Sequence, residues 1–455
     1  MANGLFVKDK SFYRAMVRLS LPTAFRSLLT LLVLLADNVM VSRFSQDALA
    51  PVAQANAIST FITAALNGLG GGAVVLIAQY WGKKDEKSVR QFFAVAALAC
   101  TALAMLAIGV TLIFPHAILS LVLDSQQQAL IPIALSYLTI SCLAWLPLGI
   151  SSALSSALKG VEVVKVTLYA TIISLLSNAA LNYLLIFGHF GLPQMGVEGA
   201  AWATVIARMI EAAVVWIYCF RKQKAVSIRP RDLWHQEKWA WRDYLRYGAP
   251  VGFTDAQWAL VGLLKMAAIG HLGDTMISAM NLTDTMMNLG TMFTFALAGG
   301  ACVLVGKAVG QGDMDKVRQY SRTIQVMFAC VGIGMALIVM ALRFPFIGLY
   351  HQSQAVEELA GQMIFIGAVT IMGTSYHASC FVGINRGAGD NKFVMIVDLI
   401  CGWLIVLPLT YLAAFVFHWP LPVIFLCTRI DQCFKWIIAF IRLRGKKWIK
   451  NVTRA

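Results

Sequence analysis

Charge is scarce in this chain. Only 13% of its 455 residues are Asp, Glu, Lys or Arg, about half the share of an ordinary soluble protein. So few charged groups cannot cover the surface of water-soluble domains of this total length, and that class is excluded. Acidic residues are the scarcer sign, 22 against 37 basic, for a net charge of +15. Several chemical signatures are missing as well. There is no HExxH and no GxSxG. The nearest approach to a phosphate loop is Gly306-Lys307, with Ala301 in place of the upstream glycine and Ala308 in place of Ser/Thr. An enzyme or an ATP-driven pump is therefore not expected. The nine cysteines all lie in apolar stretches with no CxxC and no metal-type spacing. They read as buried small apolar residues, and no cofactor or metal is expected. No cleavable signal is expected either, because the basic N-terminal stretch runs straight into a full-length apolar segment.

Apolar sequence is what the chain has in quantity. Hydrophobic residues make up 59% of it, enough for about twelve spans of ~20 residues each. Twelve apolar segments can be marked, at 19–42, 48–80, 92–114, 129–157, 164–187, 199–220, 248–271, 276–306, 321–342, 355–385, 393–416 and 420–441. Continuous apolar runs, unlike short alternating ones, predict helices rather than a closed barrel. The longest should tilt or kink in a ~30 Å hydrocarbon core. With the N-terminus placed in the cytoplasm, thirty Lys/Arg fall on the cytoplasmic side and two, Arg43 and Arg343, on the other. This asymmetry orients both termini inward. It also accounts for the basic balance without nucleic acid as a partner.

The polar stretch 221–247, rich in basic and aromatic residues, reads as a cytoplasmic connector between two halves. An internal repeat supports that reading. GGAVVLIAQYWGKKDEKSVRQ (71–91) aligns without a gap on GGACVLVGKAVGQGDMDKVRQ (299–319) at an offset of 228. The same offset carries Pro22 onto Pro250, and an offset of 227 carries Lys159-Gly160 onto Arg386-Gly387. Six segments per half give parallel repeats about an axis along the membrane normal. The expected architecture is an all-α polytopic membrane protein of twelve transmembrane helices in two six-helix lobes. The N-terminal lobe is 1–220, the connector 221–247, the C-terminal lobe 248–441, and the basic cytoplasmic tail 442–455.

A duplicated bundle with charges in its interior favours a secondary transporter over a channel. Four stretches carry a closer resemblance: ADNVMVSRFSQDALAPVAQANAI (36–58), the duplicated Gly-rich helix ending in Gly82 or in Gly310-Gln-Gly-Asp, SNAALNYLLIF (177–187) with GVEGAAWATVIAR (196–208), and GINRGAGDNK (383–392). In this order they resemble the multidrug and toxic compound extrusion (MATE) transporters of bacterial type. The resemblance implies a central cleft and efflux of organic compounds driven by inward H+ or Na+ flow. It also implies that Asp37, the first-helix carboxylate, binds the coupling ion, with Asn178, Asn182 and Thr204 nearby. Several members have aspartate where Asn182 stands, a departure that weakens a relay built from two carboxylates.

Spacing adds further candidates, since each ionisable group in a span costs at least ~2.5–3.5 kcal/mol on insertion scales. Arg26 and Asp37 are three turns apart on one stripe, about 16 Å along the axis, with Thr30 between them. Thr171, Ser174, Asn178 and Asn182 form a second polar stripe, open to a binding role or to simple interhelical hydrogen bonding. The 228-residue offset carries Asp37 onto Lys265 and Asp255 onto Ser27, beside Arg26. Two charged rungs across the cleft are therefore expected, Arg26–Asp255 and Asp37–Lys265, closing alternately; snorkelling of Lys265 is the other reading. Asp284 falls on Asn56 by the same offset. Tyr376 and His377 could carry protons or stack on an aromatic substrate, though a lone helical His is more often a packed, hydrogen-bonded residue. Arg208 and Glu211 are spaced to pair locally. Asp398, Arg429, Asp431 and Lys435 read as mutually paired structural charges. Met286, Met287 and Met292 suit an adaptable apolar wall or plain core.

These readings converge on an inner-membrane antiporter, expected as a monomer among membrane lipids, exporting an amphipathic, cationic small organic molecule. Arg26 and Lys265 leave an anionic aromatic metabolite, such as a flavin nucleotide, as the alternative. A lipid-linked precursor flippase is a further alternative, but it would call for extra helices and a more uniformly cationic cavity.

Overall fold

A computed structural model describes residues 6–44, 49–120, 131–191, 193–221, 235–445 and 447–454, with backbone alone at 34–39, 41–44, 49 and 50. Helices dominate, and no strand occurs among the described residues. The first half holds α1 (Lys10–Phe44), α2 (Leu49–Gly82), α3 (Glu86–Ile113), the short α4 (Pro115–Leu119), α5 (Ile131–Ser141), α6 (Trp145–Gly160), α7 (Lys165–Phe187) and α8 (Gly196–Arg221). After the connector come α9 (Lys238–Asp243), α10 (Ala249–Gly270), α11 (Asp274–Gly310), α12 (Met314–Gly348), α13 (Gln354–Ala378), α14 (Asn391–Leu399), α15 (Leu407–Tyr411), α16 (Leu421–Cys427) and α17 (Asp431–Arg444). Wider π turns join α9 to α10 and α14 to α15, and extend α13 to Asn385.

Among the described residues, ten of these stretches are long and apolar enough to cross a membrane. The other two predicted segments are helical but diluted or broken. α10 carries Asp255, Gln257 and Lys265, and the last segment is interrupted between α16 and α17. Helices also outrun their apolar stretches: α1 starts at Lys10, not 19, and α11 reaches Gly310. Hydropathy marks the part in lipid, whereas a helix continues until a cap ends it.

The caps repeat with the sequence. Asp85 accepts a hydrogen bond from the Ser88 backbone N–H at 3.1 Å and so opens α3. Its counterpart Asp313 accepts from the Lys316 N–H at 3.0 Å and opens α12. Each fills an orphan donor of the first turn. Just before each cap the backbone turns left-handed, at Lys84 (φ 63°) and Gly312 (φ 77°). The second loop behaves likewise, with Glu162 (φ 65°) answering Gly389 (φ 82°) at the 227 offset. In each pair only one repeat uses glycine, the residue that adopts this conformation without strain.

The chain forms two compact units: residues 25–77 with 85–256, and residues 1–24 and 78–84 with 257–455. These are not the two sequence halves: α2 is divided between them after Ile77. In the N-terminal unit a Cβ on Gly72 would collide with the backbone of Gly248, 2.2 Å from its carbonyl oxygen. In the C-terminal unit one on Gly310 would do the same against the backbone of Gln79. The Gln79 amide also holds the tail there, donating to Gly387 O at 3.0 Å and accepting from the Val452 N–H at 2.9 Å. Asp390 receives Arg442 at 2.7 Å and Lys450 at 2.6 Å. The basic tail is folded back onto the helix ends.

Seven cysteines are buried, as expected; Cys330 and Cys433 are exposed, and all nine are free thiols. Met286 and Met287 pack in the core of the C-terminal unit rather than lining a wall.

Candidate functional site

The N-terminal unit holds an open cavity of about 250 Å³ whose walls include Thr30, Asn56, Tyr137, Asn182, Thr204 and Arg208. Helix periodicity brings these side chains inward. On α7, Thr171, Ser174, Asn178 and Asn182 recur along one face, and all four are buried. Asn182 donates to Asn178 Oδ1 at 3.3 Å, and Ser174 donates to the Ala207 carbonyl of α8 at 2.8 Å. The α7 stripe therefore serves both readings at once: interhelical hydrogen bonding at Ser174, a cavity wall at Asn182. From α2, Asn56 accepts from the Tyr137 hydroxyl at 3.1 Å. Thr204 donates to the Ala200 carbonyl at 3.0 Å and lines the cavity.

An ion cluster adjoins this cavity. Glu211 of α8 is 1% exposed, held by Arg208 at 2.7 Å and by Arg26 of α1 at 3.3 Å. The Thr171 hydroxyl adds a 3.1 Å hydrogen bond to the same carboxylate. A buried carboxylate is costly unless paired and hydrogen-bonded, and here both conditions are met. The two guanidiniums, 29% and 28% exposed, keep access to polar space. The local pairing of Arg208 with Glu211 follows the expected i,i+3 spacing. Arg26, expected opposite Asp255, pairs with Glu211, and Asp255 is half-buried on α10. α1 continues through Asp37, whose side chain lies outside the described residues, so its pairing with Lys265 is not described either.

The C-terminal unit places its charges differently. Lys435 sits between Asp398 at 2.7 Å and Asp431 at 3.0 Å, all three side chains buried. The Trp258 ring covers the ammonium at 4.3 Å. Three of the four expected structural charges thus pair. The fourth, Arg429, instead donates to Thr370 Oγ1 at 3.0 Å. Lys265 does not snorkel: its ammonium reaches the Thr428 carbonyl at 3.4 Å. That carbonyl lies at the break after α16, where the helix leaves acceptors unfilled. Tyr376 donates to Gln325 at 2.8 Å, and His377 bonds the Gly373 carbonyl at 3.1 Å and packs edge-on against Phe381. His377 is a packed, hydrogen-bonded histidine. Asp284 is half-buried on α11.

Sequence reasoning missed the partner of Arg26 and the role of Tyr137. The second was legible, since Asn56, Ser59, Thr60 and Thr63 mark a polar face on α2 that needs an opposing donor. Among the described residues, no group of three or more His, Cys, Asp or Glu is arranged to hold a metal ion.

Comparison with known proteins places this geometry in context. A family model described as MatE matches the chain twice, over residues 22–184 and 250–412, the same 228-residue displacement as the internal repeat. An "Uncharacterized transporter YisQ" from Bacillus subtilis is 26% identical over 91% of this chain and 90% of its own. A "Probable multidrug resistance protein NorM" from Rhizobium meliloti is 28% identical over 90% and 87%. Among solved structures, a MOP superfamily transporter from Pyrococcus furiosus, whose report describes reverse polarity of its binding pocket, superposes with a TM-score of 0.85 at 18% identity, covering 96% of this chain and 98% of that one. The eukaryotic MATE transporter AtDTX14 gives 0.83 at 19% identity, with 97% of each chain covered. These likenesses carry the fold: twelve transmembrane helices in two lobes.

Proposed function

This chain belongs to the MatE family, a multi-pass membrane transporter with multidrug-efflux relatives, and on that premise we propose that it is a secondary antiporter exporting amphipathic organic molecules in exchange for H+ or Na+. The observation that carries this reading is the polar cavity of the N-terminal unit, walled by Asn56, Tyr137, Asn182 and Arg208 and joined to the Glu211 cluster. It offers hydrogen-bonding groups of both kinds beside apolar walls, which suits a ligand with a polar head and an apolar body.

Charge arithmetic supplies the coupling. Arg26 and Arg208 against Glu211 leave one positive charge, and an ionised Asp37 on α1 brings the compartment to neutrality. Protonating Asp37, or binding Na+ to it, restores the excess positive charge and weakens the compartment's hold on a cationic substrate. Ion and cation thus compete, and inward ion flow drives export. The same positive excess favours a second reading, in which an anionic aromatic substrate binds when Asp37 is neutralised.

In the inner membrane, with both termini cytoplasmic, the two lobes would rock to expose the cavity alternately, the protein acting as a monomer. Proteoliposomes loaded with cationic dyes or with flavin nucleotides, under separate pH and Na+ gradients, test the reading. Gradient-driven export of the dyes, absent in Asp37→Asn, is the expected result. Export of the nucleotides alone selects the second reading, and normal export by Asp37→Asn removes the coupling site.

A further inference from the structure

A second cavity, of about 500 Å³, lies in the C-terminal unit where α12 begins and α17 ends. From α12 come Arg318, Ser321, Arg322 and Gln325, whose i, i+3, i+4, i+7 spacing puts them on one helix face. Phe440, Leu443 and Arg444 come from α17, and Trp448 from the tail. Three guanidiniums converge here. The one carboxylate that touches them among the described residues is exposed Asp315, 3.7 Å from Arg318. Arg322 and Arg444 have no carboxylate partner among the described residues; Arg444 lies over the Phe440 ring at 4.3 Å.

The pocket is built rather than incidental. Ser321 and Trp448 are buried, and Gln325 is fixed by the Tyr376 hydroxyl at 2.8 Å and by Ser321. Trp448 is held because the tail returns to the helix ends, the Lys450 N–H donating to Ala388 O at 2.8 Å. A polar floor, a cationic rim and an apolar wall meet in one place. Guanidinium forks match phosphate oxygens two at a time. The apolar wall continues outward along α17 through Ile437, Phe440 and Ile441, all exposed. A soluble anion has no use for such a track, whereas a lipid does.

We propose that this pocket binds the phosphodiester head group of an anionic phospholipid, with Arg322 and Arg444 on the phosphate and an acyl chain along α17. The reading is independent of what the transporter exports.

Native mass spectrometry of the full-length protein tests it, with phosphatidylglycerol, phosphatidylcholine of the same chains, and inorganic phosphate as the probes. One phosphatidylglycerol should be retained about tenfold more tightly than phosphatidylcholine. The pair Arg322→Gln and Arg444→Gln should lose about tenfold of that preference, each cation contributing on the scale of other basic groups at anionic membranes. Arg322→Lys with Arg444→Lys should recover part of it, and size-exclusion profiles check folding. If the glutamine pair does not fold, the lysine pair must still bind phosphatidylglycerol more weakly than the wild type. Equal retention of the two lipids overturns the proposal, as does unchanged binding by whichever pair folds. Displacement of phosphatidylglycerol by millimolar inorganic phosphate also overturns it, in favour of a soluble-anion site.

Discussion

The two units bury charge in opposite ways. In the N-terminal unit one sealed carboxylate, Glu211, is shared by two arginines that remain more than a quarter exposed beside a cavity. In the C-terminal unit one sealed ammonium, Lys435, is shared by two carboxylates exposed by less than a tenth, under an indole ring. A charge that can reach polar space can change its partner or its hydration at modest cost. One that is sealed and doubly paired is held by a penalty of several kcal/mol. On the proposed reading, ion and substrate exchange belong beside the first cluster, and the second fastens helices.

The strongest way to break that contrast is to empty the sealed triad. Lys435→Met leaves two carboxylates buried without a cation and should destabilise the protein by about 3–5 kcal/mol, read as loss of folded protein on size-exclusion or a collapsed melting temperature. The triple variant Lys435→Met, Asp398→Leu, Asp431→Leu should recover folding and keep gradient-driven export. Failure to export while well folded would move the C-terminal cluster into the transport machinery.

Glu211→Gln should cost less, about 1–3 kcal/mol, because the freed guanidiniums can hydrate. It should also raise the cavity's positive charge, weakening cationic dye export relative to any anionic substrate; an unchanged dye preference would contradict the assignment. Smaller effects probe the scaffold that the repeats share. Asp85→Ala and Asp313→Ala each remove a helix cap and should each cost about 1 kcal/mol by thermal melting. Lys84→Gly relieves the left-handed backbone that Gly312 already serves in the other repeat, and should stabilise by about 1 kcal/mol. A loss there would mean that the Lys84 side chain does more than tolerate the turn.

What the sequence reveals and what it hides divide along the same line. Caps, turns and apolar length are local, so twelve segments, the duplication and the shared Asp85/Asp313 geometry can be read from spacing. Pairing of charges across the chain is not local. Arg26 finds Glu211, 185 residues away, and the repeat cannot reveal it because the counterpart of Arg26 is the buried Thr254. The symmetry that doubled the scaffold therefore carries no information about the Arg26–Glu211 pairing. Lys265 was ambiguous for a related reason: the break after α16 that supplies its acceptor leaves no mark in hydropathy. The α7 stripe, by contrast, was legible because a single helix face decides it.

The most direct test is the charge exchange itself. In proteoliposomes carrying a cationic dye, proton or Na+ flux should be measured alongside dye export for the wild type and for Asp37→Asn. Dye and ion flux should be coupled in the wild type and both should vanish in the variant, while the protein stays folded. Coupled flux that survives Asp37→Asn and is lost instead in the folded triple variant at Lys435, Asp398 and Asp431 would reverse the roles of the two units.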